Sequence, residues 1–136
     1  MRVGSGVALA IAFAAFAGPG AAAQDPLARY RQVSRVLVLS APDAGDRRLV
    51  AQRATIAAAR AGLSERDLVV VEAVGGGGDA EAIRRRLGLP ADAFRAVLVG
   101  KDGGVKITEP EPIAPQRLFS TIDAMPMRRD EMRRQR

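Results

Sequence analysis

Two near-continuous apolar runs, separated by a stretch of helical periodicity, constrain this chain more than any other feature. Residues 35–40 carry Val36, Leu37, Val38 and Leu39 in succession, and residues 68–71 read Leu-Val-Val-Val. A strand with one wet face alternates apolar and polar residues, so the unbroken run at Val36 fits a strand covered on both faces. Between the runs, residues 41–46 are turn-like and Asp46 is placed to cap a helix. Leu49, Val50 and Ile56, with Ala54, Ala57 and Ala58, give that helix a packing stripe through about Ala61, and Gly62 is read as its end. Strand, helix, strand then requires a parallel crossover.

The rest of the chain extends this unit. A helical turn over residues 26–31 leads into the first strand. After the second run come Gly75, Gly76, Gly77 and Gly78, and Asp79 is read as the cap of a helix reaching Leu87. In it Ile83 and Leu87 pack inward while Arg84, Arg85 and Arg86 face mostly water; Gly88 and Pro90 close it. Residues 94–99 and 105–108 are two further β-rich runs around Gly100-Lys101-Asp102-Gly103-Gly104, and Asp-Gly there signals a hairpin. Residues 116–124 read as a helix with Leu118, Phe119 and Ile122 inward; Pro126 kinks or restarts it, and the remainder to Arg136 is a charged helical tail. The order β-α-β-α-β-β-α, with a parallel crossover and an antiparallel hairpin, predicts an α/β fold. Its central mixed sheet has about four strands with helices on both faces, the element order of the thioredoxin fold.

Residues 1–23 have the layout of a cleavable signal peptide: Arg2, an apolar run over residues 7–17, then Gly18, Pro19, Gly20 and three alanines. The run is too short to span a bilayer, which takes about 20 apolar residues. Cleavage after Ala23 leaves residues 24–136 as one domain, periplasmic or secreted, with no stable membrane insertion. Such a domain would often use disulfides, yet the chain has no cysteine, and it has no histidine. Thiol redox cycling, thiolate metal sites and histidine-based triads are thereby excluded. Without Arg2, 20 basic residues face 15 acids, a net charge of +5. The sign favours anionic partners, although 19 of the 21 basic residues are arginine, as a GC-rich coding sequence would give whatever the function.

The glycine run reads as a flexible loop, with an amide cradle for an anion as the alternative. Met125, Met127 and Met132 fall within eight residues. They suit packing under a kinked helix, or alternatively the soft coordination of Cu(I). Five arginines in residues 128–136 face Asp130 and Glu131 and read as a solvated tail, or as a contact for anionic lipid or glycan. A hairpin tip carrying Lys101, Asp102 and Lys106, set beside Asp123, Arg128 and Arg129, would form a patch of both charge signs suited to a protein or glycan. Its alternative is internal: Asp123 caps the helix after Pro126 and pairs with an arginine.

Several segments together resemble a known family. They are Arg35 with the strand to Leu39, Gln52, Glu65-Arg66-Asp67, residues 100–106, and residues 122–132. The family is one of thioredoxin-like domains of unknown function, found as small exported bacterial proteins and within animal matrix proteins of the sushi-repeat-containing type. The resemblance covers nearly all of residues 24–136 and implies a fold rather than a reaction. In thioredoxin-like enzymes the reactive thiol follows the first strand; here residues 40–46 contain none. The resulting expectation is a redox-silent, non-catalytic binding or accessory module of the cell envelope, with no cofactor and no nucleic-acid partner. Its ligand would be an envelope protein or an anionic glycan or lipid. The alternatives are an enzyme built on carboxylates or lysine, and Cu(I) binding by the methionines.

Overall fold

The computed structural model describes residues 24–136; the signal-peptide expectation for residues 1–23 lies outside them. A 3-10 turn, Ala28–Tyr30, precedes strand β1, Arg35–Ala41. Helices α1, Arg47–Ala58, and α2, Arg60–Glu65, lead to β2, Leu68–Val74, and then to α3, Gly78–Leu87. The hairpin β3, Arg95–Val99, and β4, Val105–Glu109, is followed by α4, Pro115–Asp123, and α5, Pro126–Arg134. The four strands form one mixed sheet in the order β2-β1-β3-β4. β1 runs parallel to β2, with Arg35 opposite Leu68, and antiparallel to β3, with Val36 opposite Val99.

All seven residues of β1 are buried, as its unbroken apolar run requires. Leu37 and Leu39 point into a core with Leu49, Leu63, Leu118 and Ile122, drawn from α1, α2 and α4. Val36 and Val38 point the other way, onto Leu27, Ala80 and Ile83 from the N-terminal turn and α3. Helices therefore cover both faces.

Asp46 caps α1 as expected, its Oδ1 accepting from the amides of Arg48 (2.9 Å) and Leu49 (3.2 Å). The helix does not run to Ala61. It breaks at Ala59 (φ −112°, ψ 20°), which packs against the core, and restarts as α2 with Gly62 inside it rather than at its end. Gly62 is required by contact instead: a Cβ there would lie 2.6 Å from Cζ of Phe119 on α4. Across α1, the buried Gln52 side chain exchanges two hydrogen bonds with the backbone of Ile113 (2.9 and 2.7 Å), fixing the approach to α4.

Two further corrections concern α3. Its N-cap is Gly77 and no side chain caps it, so Asp79 lies in the first turn and acts there through the helix dipole. Of the three arginines only Arg85 faces water. Arg84 is buried and donates to the carbonyls of Ala73 and Gly75, while Arg86 donates to Gly103 O (3.1 Å) and pairs with Asp25 (3.2 Å). Backbone carbonyls at the end of β2 take the place of water.

Candidate partner-binding site

Arg35 opens the central strand, so its side chain enters the end of the sheet and is buried. A buried guanidinium needs a compensating charge. Glu131 of α5 supplies it, accepting from Nη1 and Nη2 at 3.2 Å each, while Nη1 also donates to Arg66 O (2.9 Å). Lys101, at the start of the β3–β4 turn, bridges Asp67 (2.9 Å) and the same Glu131 (2.8 Å). Beside them Asp123, at the end of α4, accepts two bonds from Arg66 (3.0 Å each) and one from Arg128 (3.2 Å). Arg128 also donates to Glu65 O (3.3 Å). Four segments distant in sequence, at residues 35, 65–67, 101 and 123–131, are thus held by one alternating set of charges.

The set is tuned toward ionisation. Burial pushes the Glu131 carboxyl up, but hydrogen bonds from Arg35 and Lys101 outweigh it and hold the group below the usual glutamate range. For Asp123 the hydrogen bonds from Arg66 are the largest influence; they and Arg128 overcome burial and keep its carboxyl low. In the hairpin, Asp102 is lowered first by the Gly104 amide and then by Lys106.

The six residues named for partner contact divide. Lys101 (9% exposed) and Arg128 (2%) are turned inward, and Asp123 is occupied by two arginines. Asp123 does pair with arginine as the internal alternative held, but it caps nothing: Met125 is the N-cap of α5, with no side-chain bond. Asp102, Lys106 and Arg129 are exposed, with Lys106 bonded to Asp102 at 3.0 Å. The expected solvated tail is accordingly corrected for its first turn. Arg128 and Glu131 dock α5 onto the end of the sheet, while Arg129 and residues 133–136 are exposed. The residues not assigned to a site from sequence, Arg35, Arg66, Asp67 and Glu131, all fall in the segments that carry the family resemblance, and Arg35 carried a further signal as an arginine placed directly before a fully apolar strand.

The hairpin and the turn before α5 do meet. Between them lies a cavity of about 140 Å³. Met125, Pro126 and Met127 form one wall, and Arg35, Lys101, Lys106 and Asp102 line the rest with Gly100. The hairpin's tight backbone makes this possible: Gly103 has φ +84°, Gly104 N–H donates to Asp102 (2.9 Å), and a Cβ at Gly100 would lie 2.7 Å from Cε of Lys106. Met125 and Met127 both line this cavity, and Met132 is not part of its lining. Among the described residues no cluster of three or more acids forms a metal site, and no helix is long and apolar enough to cross a membrane.

At the other end of β1, Ser40 is fully buried with no partner for its hydroxyl among the described residues. A wide hollow of about 620 Å³ lies near that end, between Pro42 and the glycine run. Gly75 there has φ +73°, and its carbonyl, like that of Ala73, accepts from Arg84.

The family described as Domain of unknown function (DUF4174) matches residues 26–131. No curated protein matches the chain, and no solved structure matches it.

Proposed function

Because this chain belongs to the DUF4174 family, a domain of unknown function, its role has to be read from its own residues, and we propose a non-catalytic, thioredoxin-like binding or accessory module of the cell envelope. The thioredoxin-like part is supported by the sheet. A central β1 pairs parallel with β2 and antiparallel with β3, β4 lies at the edge, and helices cover both faces. The residues where a thioredoxin-like enzyme carries its thiol read Ser40 to Asp46 here, which makes the domain redox-silent. Export through residues 1–23 to the periplasm or beyond completes the reading.

The observation that carries the binding role is the junction of hairpin and α5. An ion set held by two bidentate arginines fixes the hairpin and the turn of residues 124–127 against each other, and presents Asp102, Lys106, Met127 and Arg129 on a rigid frame. Rigid frames with exposed mixed-charge edges suit partner recognition. Against an enzyme, the perturbed carboxylates Asp25, Glu72, Asp102, Asp123 and Glu131 are all shifted down. A general acid needs the opposite shift, so these directions speak against these five as general acids and leave a carboxylate base or nucleophile as the enzyme alternative.

The test is a cross-linking pull-down from the native envelope with the tagged protein beside a Lys106→Glu, Arg129→Glu variant of verified folding. Both positions are exposed, so the variant alters the face without touching the buried ions. An enriched protein lost with the variant supports the reading. Enrichment of anionic glycan or lipid instead redirects it to those partners, and equal enrichment by both proteins removes this face from the account.

A further inference from the structure

We propose that the cavity between the hairpin and the Met125-Pro126-Met127 turn is an anchor pocket for one acidic side chain of a partner polypeptide, a glutamate in particular. The proposal rests on the binding reading above and adds what is bound. Size comes first. Sites for cofactors and small molecules run to about 300–1,000 Å³, whereas this cavity holds about 140 Å³, the scale of a single side chain.

Its lining sets the chemistry. Arg35, Lys101 and Lys106 contribute three cations, and Asp102 is the one acid. Arg35 is 1% exposed and paired with Glu131, and Lys101 is 9% exposed and paired with Asp67 and Glu131, so Lys106, 32% exposed, is the cation open to an incoming carboxylate. At the mouth, Lys106 is bonded only to the exposed Asp102, so an incoming carboxylate can share or replace that partner. The opposite wall of Met125, Pro126 and Met127 suits a methylene stem, which a glutamate brings and an inorganic anion does not.

The surroundings point to a polypeptide as the source. Met127 in the cavity wall is exposed (36%), and Val105 (47%) and Arg129, also exposed, lie within two residues in sequence of the lining residues Lys106 and Met127. A small pocket within a wider apolar and arginine-bearing surface is the arrangement in which one anchor residue carries an interface.

The experiment is an amide NMR titration of the purified protein with acetyl-Leu-Glu-Leu-amide, with acetyl-Leu-Gln-Leu-amide, and with acetate. The expected result is a saturable shift of amides in residues 100–106 and 124–127 with the glutamate peptide, at least fivefold weaker with the glutamine peptide and with acetate. Lys106→Met should abolish that preference while leaving the remaining spectrum in place. Equal binding of the two peptides overturns the carboxylate assignment. Acetate acting as strongly as the peptide overturns the polypeptide source, and no saturable shift at these amides overturns the pocket. Failure here combined with a partner lost from the Lys106→Glu, Arg129→Glu variant would leave the binding reading intact and the anchor wrong.

Discussion

At the residue scale Glu131 carries the most structural weight, because two buried cations depend on it. Arg35 and Lys101 both donate to its carboxylate, so Glu131→Gln leaves a fully buried guanidinium short of charge. Breaking a buried pair from one side costs about 3–5 kcal/mol. The expected loss lies near the lower end, since Glu131 retains 17% exposure and glutamine keeps some hydrogen bonding; urea unfolding measures it. Glu131 and Asp123 have folded pKa values below their ordinary 4.5 and 3.8. Their stabilisation is therefore fully present above about pH 4.5 and is lost as pH falls through the folded values. Melting temperature should drop on acidification below that point in the wild type and more shallowly in Glu131→Gln. Gly62 supplies a steric counterpart. Gly62→Ala gains about 1 kcal/mol of helix propensity, but its Cβ meets the Phe119 ring at 2.6 Å. A net loss of about 1–2 kcal/mol is expected, reduced when Phe119→Leu opens the contact, and a double-mutant cycle reads the coupling.

Elements were legible where periodicity and capping speak locally, and illegible where distant chain decides. The apolar run of β1, the Asp-Gly hairpin and the Asp46 cap all follow from neighbours in sequence. Asp46→Ala should accordingly cost about 1 kcal/mol, measurable by thermal unfolding. Gly62 and Arg84 mislead for one shared reason. Local rules send a glycine to a helix end and an arginine to water, but Phe119 and the carbonyls of Ala73 and Gly75 arrive from other elements. The same holds for α5, whose charged sequence reads as solvated until Arg35 and Lys101 meet Glu131. Of the candidate site, the hairpin and the turn before α5 could be named from sequence. That Lys101 faces inward could not, because its partners lie 30 or more residues away, and Arg128 is buried with a partner 63 residues away, the Glu65 carbonyl, beside its local one, Asp123.

On the scale of the whole molecule, one sheet divides two apolar cores and one ion set closes the end at which the hairpin and α5 meet. On the proposed reading stability and recognition share a frame: the buried ions hold the hairpin, and the exposed Lys106, Met127 and Arg129 are the residues offered to a partner. The most direct measurement is photo-cross-linking in the source cells with a photoreactive residue at Met127 or, as the comparison, at the exposed Val50 of α1. The expected result is a discrete adduct from position 127 that is absent from position 50 and suppressed by Lys106→Glu. Adducts of equal yield from both positions, or none from position 127, would contradict a binding face at the hairpin and α5.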